Sequence, residues 1–275
     1  MSVRGRGARG RNRWIAGLVI TSLVVLAGCA SASSKAAAVR PRSATTTPRA
    51  PTTSTTTSTT TTTTTVPTTV RMLLAYVAQK LGPGASGQAV LALQQRLSSL
   101  GYWLGTPSGM FDDGTEQAVY ALQKAAGLPR DGIVGPTTWL AVVKGVVPHP
   151  RSRLGRLIEV DLEDDLVMFV TNGKVDAVLN TSTGGGYSYW SNGQSAVADT
   201  PTGLFRIYRQ VDGLVTDSLG QLWRPKYFDS GFAIHGDSNV PATPASHGCV
   251  RVSNEAIDWI WEQNLAPLGT PVWIY

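Results

Sequence analysis

Cysteine and histidine are scarce in this chain, whose 275 residues hold two of the first and three of the second. One cysteine, Cys29, sits in the N-terminal segment, so Cys249 is a lone thiol with no disulfide partner once Cys29 is otherwise engaged. Acidic residues are absent from Met1 to Arg13, and the formal charge of +6 is concentrated toward the N-terminus. From Met72 to Tyr275 there are 14 basic and 18 acidic residues, a net charge of −4, which leaves no nucleic-acid footprint in the folded part. Apolar periodicity is missing from residues 30–71, where 17 of the 25 positions from Thr45 to Thr69 are threonine. Such a stretch cannot bury enough surface to offset its ordering entropy, and it reads as a disordered tether.

The leader has a charged stretch with five arginines, an almost wholly apolar run from Trp14 to Leu26, and then Leu26-Ala27-Gly28-Cys29. That order is a secretion signal whose apolar part is too short to span a membrane comfortably; an uncleaved anchor is the alternative. The tetrapeptide resembles a bacterial lipoprotein box. The resemblance implies a signal peptide over 1–28, lipidation of Cys29, and a lipid anchor on the extracytoplasmic face of the cell membrane. The Thr/Pro/Ser-rich linker then occupies 29–71.

Helical patterning begins near Leu81. Val90, Leu93, Leu97 and Leu100 form one apolar stripe that stops at Gly101. A second helix is predicted with Asp113 or Thr115 as N-cap, Ala118, Val119 and Leu122 inward, and Gly127 as its stop. A third begins with Pro136 in its first turn and Trp139 inward. Residues 72–147 are therefore expected as a small all-α three-helix domain. The stretches LQQRLSSLGY, GMFDDGTEQAVYALQ and DGIVGPTTW within it resemble the small peptidoglycan-binding domain of bacterial wall enzymes, which implies a wall-binding role.

Beyond His149, read as a solvated linker residue, the period changes to two. RLIEVDL, LVMFV and KVDAVLN alternate as strands, with Asn172-Gly173 as a hairpin turn. TPTGLFRIY, FAIHG, VRVS and PVWIY follow, and one helix, NEAIDWIWEQN, comes immediately after the thiol with Ser253 or Asn254 as N-cap. Residues 154–275 read as a mainly-β domain. In FAIHG the pleat sets Ala233 and His235 opposite Phe232 and Ile234, and in CVRV it sets Cys249 and Arg251 away from Val250 and Val252.

If those strands are neighbours, Cys249 and His235 share a cleft, as thiol nucleophilic catalysis requires, with the imidazole taking the proton and holding the thiolate. Backbone N–H groups of Gly248 and Cys249 are the expected oxyanion donors, and the Gly236 carbonyl is the expected partner that fixes the imidazole tautomer. Two other readings stay open: an inert buried cysteine, and a zinc site built from His235, His247 and Cys249.

The stretch IHGDSNVPATPASHGCVRVSN, with STGGG at Ser182 to Gly186 and TPTGLF at Thr200 to Phe205, resembles the signature of L,D-transpeptidase catalytic domains. The resemblance implies a sandwich-like fold acting on peptidoglycan stem peptides, with Cys249 as nucleophile and His235 as general base. Gly236 and Gly248 act through their backbones, and Ser246, His247 and Arg251 line the site. Tyr227, within the aromatic run from Trp223 to Phe228, is a further candidate for substrate contact, and the run Tyr187 to Trp190 is another. No cofactor, metal or nucleic-acid partner is called for. An L,D-carboxypeptidase using the same cysteine, or a non-catalytic wall-binding lipoprotein, are the competing functions.

Overall fold

The computed structural model describes residues 68–191 and 193–275; the leader, Cys29 and the Thr-rich segment up to residue 67 lie outside the described residues. The first described helix, α1 (Thr68–Leu74), begins within the stretch read as linker and buries Leu73 in the helical core. α2 (Gln88–Ser99) buries Val90, Leu93 and Leu97, with Leu100 as its C-cap and Gly101 beyond at φ 90°. α3 (Asp113–Ala125) turns Ala118, Val119 and Leu122 inward as their spacing predicts. α4 (Pro136–Lys144) buries Trp139, whose indole N–H donates to the Gln79 carbonyl at 3.1 Å, and ends at Gly145 in the left-handed conformation. The module thus has four helices among the described residues.

Its α3 cap differs from the expectation. Asp112 is the N-cap, accepting from the Thr115 N–H at 2.9 Å and the Thr115 hydroxyl at 2.6 Å. Several residues of the DDGT stretch are competent caps. The choice is made by tertiary structure, since buried Gln94 donates to Thr115 Oγ1 at 2.8 Å and so fixes where that hydroxyl points.

The remainder folds as two sheets. β1 (Arg156–Asp161), β2 (Leu166–Thr171) and β3 (Lys174–Asn180) make an antiparallel meander. Asn172 and Gly173 both take positive φ, 51° and 77°, the requirement of the hairpin turn predicted there. β12 (Pro271–Ile274) lies parallel to β1, and β6 (Gly203–Arg206) closes this sheet in the order β3-β2-β1-β12-β6. The second sheet orders β11 (Val250–Ser253), β10 (Phe232–Asp237), β9 (Gly220–Asp229) and β7 (Arg209–Gln210), with β8 (Leu214–Asp217) also pairing β9. β4 (Ser188–Ser191) and β5 (Gln194–Val197) form a separate hairpin.

α5 (Asn254–Glu262) follows β11 directly, capped by the Ser253 hydroxyl, which accepts from the Ala256 N–H at 3.1 Å. Val160 and Phe169 from one sheet, Ile234, Val250 and Val252 from the other, and Ile257 and Ile260 from α5 share one apolar core. This is the expected helical module followed by a mainly-β sandwich.

The cap assignment makes a stability prediction. Asp112→Ala should lower the unfolding free energy of the full chain by about 1 to 2 kcal/mol in denaturant titration, because it leaves a helix N–H and a buried hydroxyl without their acceptor. Asp113→Ala should change it by less than about 0.5 kcal/mol; equal losses would refute the assignment.

Candidate active site

β10 and β11 carry the chemistry because their parallel register sets Ile234 beside Val250 and His235 beside Arg251. Ile234, Val250 and Val252 then point into the core between the sheets, while Ala233 packs on the other side with Leu222, Tyr227 and Cys249. On that side a cavity of about 350 Å³ is lined by His235, Cys249, Ser246, His247 and Arg251. The alternation read from the sequence brings His235, Cys249 and Arg251 to one cleft, and the segment before β11 adds Ser246 and His247.

His235 is buried, and its Nδ1 lies 2.9 Å from the Gly236 carbonyl oxygen. A carbonyl only accepts, so Nδ1 carries the hydrogen and Nε2 keeps the free lone pair of the neutral ring. Gly236 has a second reason to be glycine: a Cβ there would come within 2.6 Å of Ile257 Cγ2 and 2.7 Å of Asn254 Oδ1. The close approach of α5 permits no side chain.

The electrostatics differ from a resting ion pair. Burial pushes the Cys249 thiol up to about 11, with the Ala233 backbone and Arg251 pulling it down and Asp217 adding to the rise. Burial likewise draws the His235 imidazole below its usual range, opposed by the Gly236 carbonyl. Among the described residues no hydrogen bond joins the sulfur to the ring. Both shifts favour the uncharged thiol and imidazole, against the expectation of a thiolate held ionised by an imidazolium. The cause is burial by the protein around the two groups, which penalises either charge.

The turn before Cys249 is braced from within. The Ser246 hydroxyl donates to the Cys249 carbonyl at 2.6 Å and accepts from the Gly248 N–H at 2.9 Å, while the Thr200 hydroxyl donates to the Gly248 carbonyl at 2.9 Å. Two expectations change. The Gly248 N–H is committed to Ser246, so it does not face the cleft as an oxyanion donor, whereas the Cys249 N–H has no acceptor among the described residues. The Ser246 hydroxyl is occupied in holding the turn, so Ser246 supports the site more than it offers a free group to substrate. Gly248 is required by packing: at φ 127° a Cβ would overlap the Phe232 ring and lie 2.6 Å from the Asp199 carbonyl oxygen.

His247 faces the cavity and packs edge-on to Tyr189 at 4.6 Å and Tyr187 at 5.5 Å between ring centroids. Of the aromatic run, Tyr189 lines the cleft while Trp190 projects into solvent. Arg251 lies 3.2 Å from an Asp237 carboxylate oxygen, an ion pair whose alignment falls short of a hydrogen bond at Nε. Tyr227 is misplaced by the sequence reading. It is buried beneath the nucleophile, opposite Ala233 and Arg209 on neighbouring strands, with the Arg209 guanidinium 4.6 Å above its ring. Its ring is packed into a small apolar cluster with Leu222 and Ala233 and is not among the residues that line the cavity. Asp217, Leu219 and Gln221, around the turn joining β8 to β9, form a wall that the sequence reading missed; the turn-forming DSLG was the signal for that hairpin. Among the described residues no three His, Cys, Asp or Glu side chains converge as a metal-ligand set.

A family model described as an L,D-transpeptidase catalytic domain matches residues 155–274, and one for a peptidoglycan binding domain matches residues 86–142. Among solved structures, the L,D-transpeptidase from Xylanimonas cellulosilytica DSM 15894 is 47% identical with a TM-score of 0.70, the match covering 72% of this chain and 98% of that one. Shorter matches reach the N-acetylmuramoyl-L-alanine amidase CwlL of Bacillus licheniformis, 50% identical over 60 residues and covering 21% of this chain, and the spore cortex-lytic enzyme of Bacillus cereus, 40% identical over 70 residues and covering 26%. These span 17% and 27% of the respective relatives' lengths.

The neutral pair has a measurable signature. With no substrate present, alkylation of Cys249 by iodoacetamide should be slow at pH 7 and accelerate about tenfold per pH unit toward a midpoint near 11, since only the thiolate attacks. A rate already at its plateau by pH 7 would show a resting ion pair instead.

Proposed function

The chain belongs to the L,D-transpeptidase family, with a peptidoglycan-binding domain ahead of the catalytic one, and from that premise we propose that Cys249 cross-links peptidoglycan stems by acyl transfer. The supporting observation is the contact of His235 Nδ1 with the Gly236 carbonyl. It leaves Nε2 as the basic nitrogen of an imidazole that lines the same cavity as the thiol.

In the proposed reaction, Cys249 Sγ attacks the carbonyl carbon of the L,D-peptide bond in a tetrapeptide stem as its proton passes to His235 Nε2. The Cys249 N–H faces the oxygen that becomes negative. Collapse breaks the C–N bond; the departing D-Ala amine takes the proton from the imidazolium, and the rest of the stem remains as a thioester on Sγ. The side-chain amine of diaminopimelate in a second stem then attacks the thioester, His235 receives its proton, and the thiol is restored. With burial favouring the neutral form of both groups, charge develops only as the bond forms. Tyr189 and His247 make one wall of the site, with Tyr187 packed edge-on against His247, and on this reading they limit access of competing water. The proposal places the enzyme on the extracytoplasmic face of the membrane, held by lipid on Cys29 and extended by the Thr-rich tether.

Incubation of the protein with tetrapeptide muropeptides should give, by mass spectrometry, a Cys249 adduct lacking D-Ala and then stem dimers. Cys249→Ala should abolish both, and His235→Ala should slow adduct formation by about 10² to 10⁴. Release of D-Ala without dimers would identify a carboxypeptidase, and absence of any adduct would leave only wall binding. For the anchor, Cys29→Ala should shift the protein from the membrane fraction to the soluble one and remove its acyl mass; a variant still acylated would refute the lipidation site.

A further inference from the structure

Near the end of α3, a lysine of the peptidoglycan-binding domain is buried against the catalytic domain. The Lys124 ammonium has three hydrogens, and three oxygens accept them: the Thr181 carbonyl at 2.8 Å, the Asp165 carbonyl at 2.9 Å and Asp165 Oδ2 at 3.2 Å. Neither side chain of the pair is exposed. The second Asp165 oxygen accepts from the Thr183 N–H at 3.1 Å and the Thr183 hydroxyl at 2.8 Å. Burial works against both charges, drawing Lys124 down to about 8 and Asp165 up, so each needs the other and its full set of hydrogen bonds.

The strip from Thr181 to Thr183 holds the nucleophile segment on both sides. The Thr183 carbonyl accepts from the Ala245 and Ser246 N–H groups at 3.0 and 2.9 Å. Ser182 exchanges two backbone hydrogen bonds with Arg251, at 3.1 and 3.2 Å, and the Thr181 hydroxyl donates to the Arg251 carbonyl at 2.7 Å. Ser246 in turn fixes the Cys249 carbonyl. Gln117 of α3 reaches the same loop, donating to the Val240 carbonyl at 3.1 Å and accepting from Asn180 at 2.6 Å.

We infer that Lys124, acting through Asp165 and Thr183, is a positioning residue for the nucleophile turn, so that the peptidoglycan-binding domain is also a structural part of the catalytic site. A cation with every hydrogen engaged accepts no substitute geometry. The strip therefore reaches its place only when the helical domain is docked. What the positioned turn does rests on the acyl-transfer reading; the link itself does not.

The test uses the full chain carrying Lys124→Met with Asp165→Asn, which removes the cation and the charge it neutralises while Asn retains an acceptor for Thr183. Two readouts are compared with the unsubstituted protein: hydrogen exchange of the amides of Ala245 and Ser246, and the rate constant for Cys249 adduct formation with a disaccharide-tetrapeptide. Expected are exchange at least tenfold faster and adduct formation at least tenfold slower, with half-saturating muropeptide concentration and sacculus binding unchanged. Wild-type exchange and rate in the folded double variant would overturn the inference. Should that variant not fold, Thr183→Val breaks the relay inside the catalytic domain, and the same two readouts decide. If the unsubstituted protein forms no adduct, acyl transfer fails as the function, and the positioning link is judged by exchange alone.

Discussion

The chemistry of this chain depends on the parallel pairing of β10 with β11. Side chains alternate strictly across a strand, so the register that sets Ile234 beside Val250 also decides that His235 and Cys249 share one cavity. A slip of one residue would turn the thiol into the core between the sheets and bring Val250 to the cleft. Parallel neighbours cannot be joined by a tight turn, and the chain from Ser238 to Cys249 crosses between them without regular structure. Such a crossing has many conformations, and its order must come from outside itself. Ser246 braces it from within, Thr181 to Thr183 pin it from the neighbouring segment, and Gln117 holds its beginning through Val240. The register and the braces are thus one arrangement seen at two scales.

Burial biases the same site toward uncharged groups. A thiol already holds its proton against an imidazole in water, and here burial penalises both ions further, opposed in part by the Gly236 carbonyl at the ring and by the Ala233 backbone and Arg251 at the thiol. A neutral thiol is also a slow target for oxidants, because the thiolate is the reactive species at each step of cysteine oxidation. For an unpaired cysteine proposed to work outside the cytoplasm, that is a protective consequence of the packing that shapes the cleft. On the acyl-transfer reading proposed above, the charge needed for attack would be created only in the presence of substrate, with the Cys249 N–H as donor to the developing oxyanion.

Local patterns in the sequence were enough to find α2 to α5, most strands, the Asn172-Gly173 turn and the alternation through His235 and Cys249, since each is set by the spacing of apolar residues or by one demanding backbone conformation. The helix α1, begun in the stretch read as linker, was missed, and Phe232, expected opposite His235, lines the same cleft next to an irregularity in the β9 pairing. What escaped is decided by contacts between distant segments. Asp112 and Asp113 are alike as caps until Gln94 fixes Thr115. Gly248 looks like a donor aimed at substrate until Ser246 claims its N–H. Tyr227 belongs to a strand whose alternation is disturbed at Arg224, with φ 48°, and by irregular pairing with β10, so its face could not be counted from its neighbours. Lys124 has the sequence signature of a solvated residue near a helix C-terminus, where cations are favoured anyway. Only the packing of α3 against the sheet reveals it as buried.

That packing also governs how the two domains act together. Val178 and Leu166 of the catalytic sheet belong to the helical core, while Trp103 of the helical region packs into the sandwich core, and Gly101 and Trp103 each share a backbone hydrogen bond with Val178. A continuous apolar boundary with paired backbone and a saturated buried ion pair leaves little freedom for one domain to swing against the other. Binding of the wall by the helical domain would then fix the orientation of the catalytic cleft as well as its distance from the polymer. On the acyl-transfer reading proposed above, part of the orientational entropy lost when a stem meets the thiol would then be removed by the docking of the two domains.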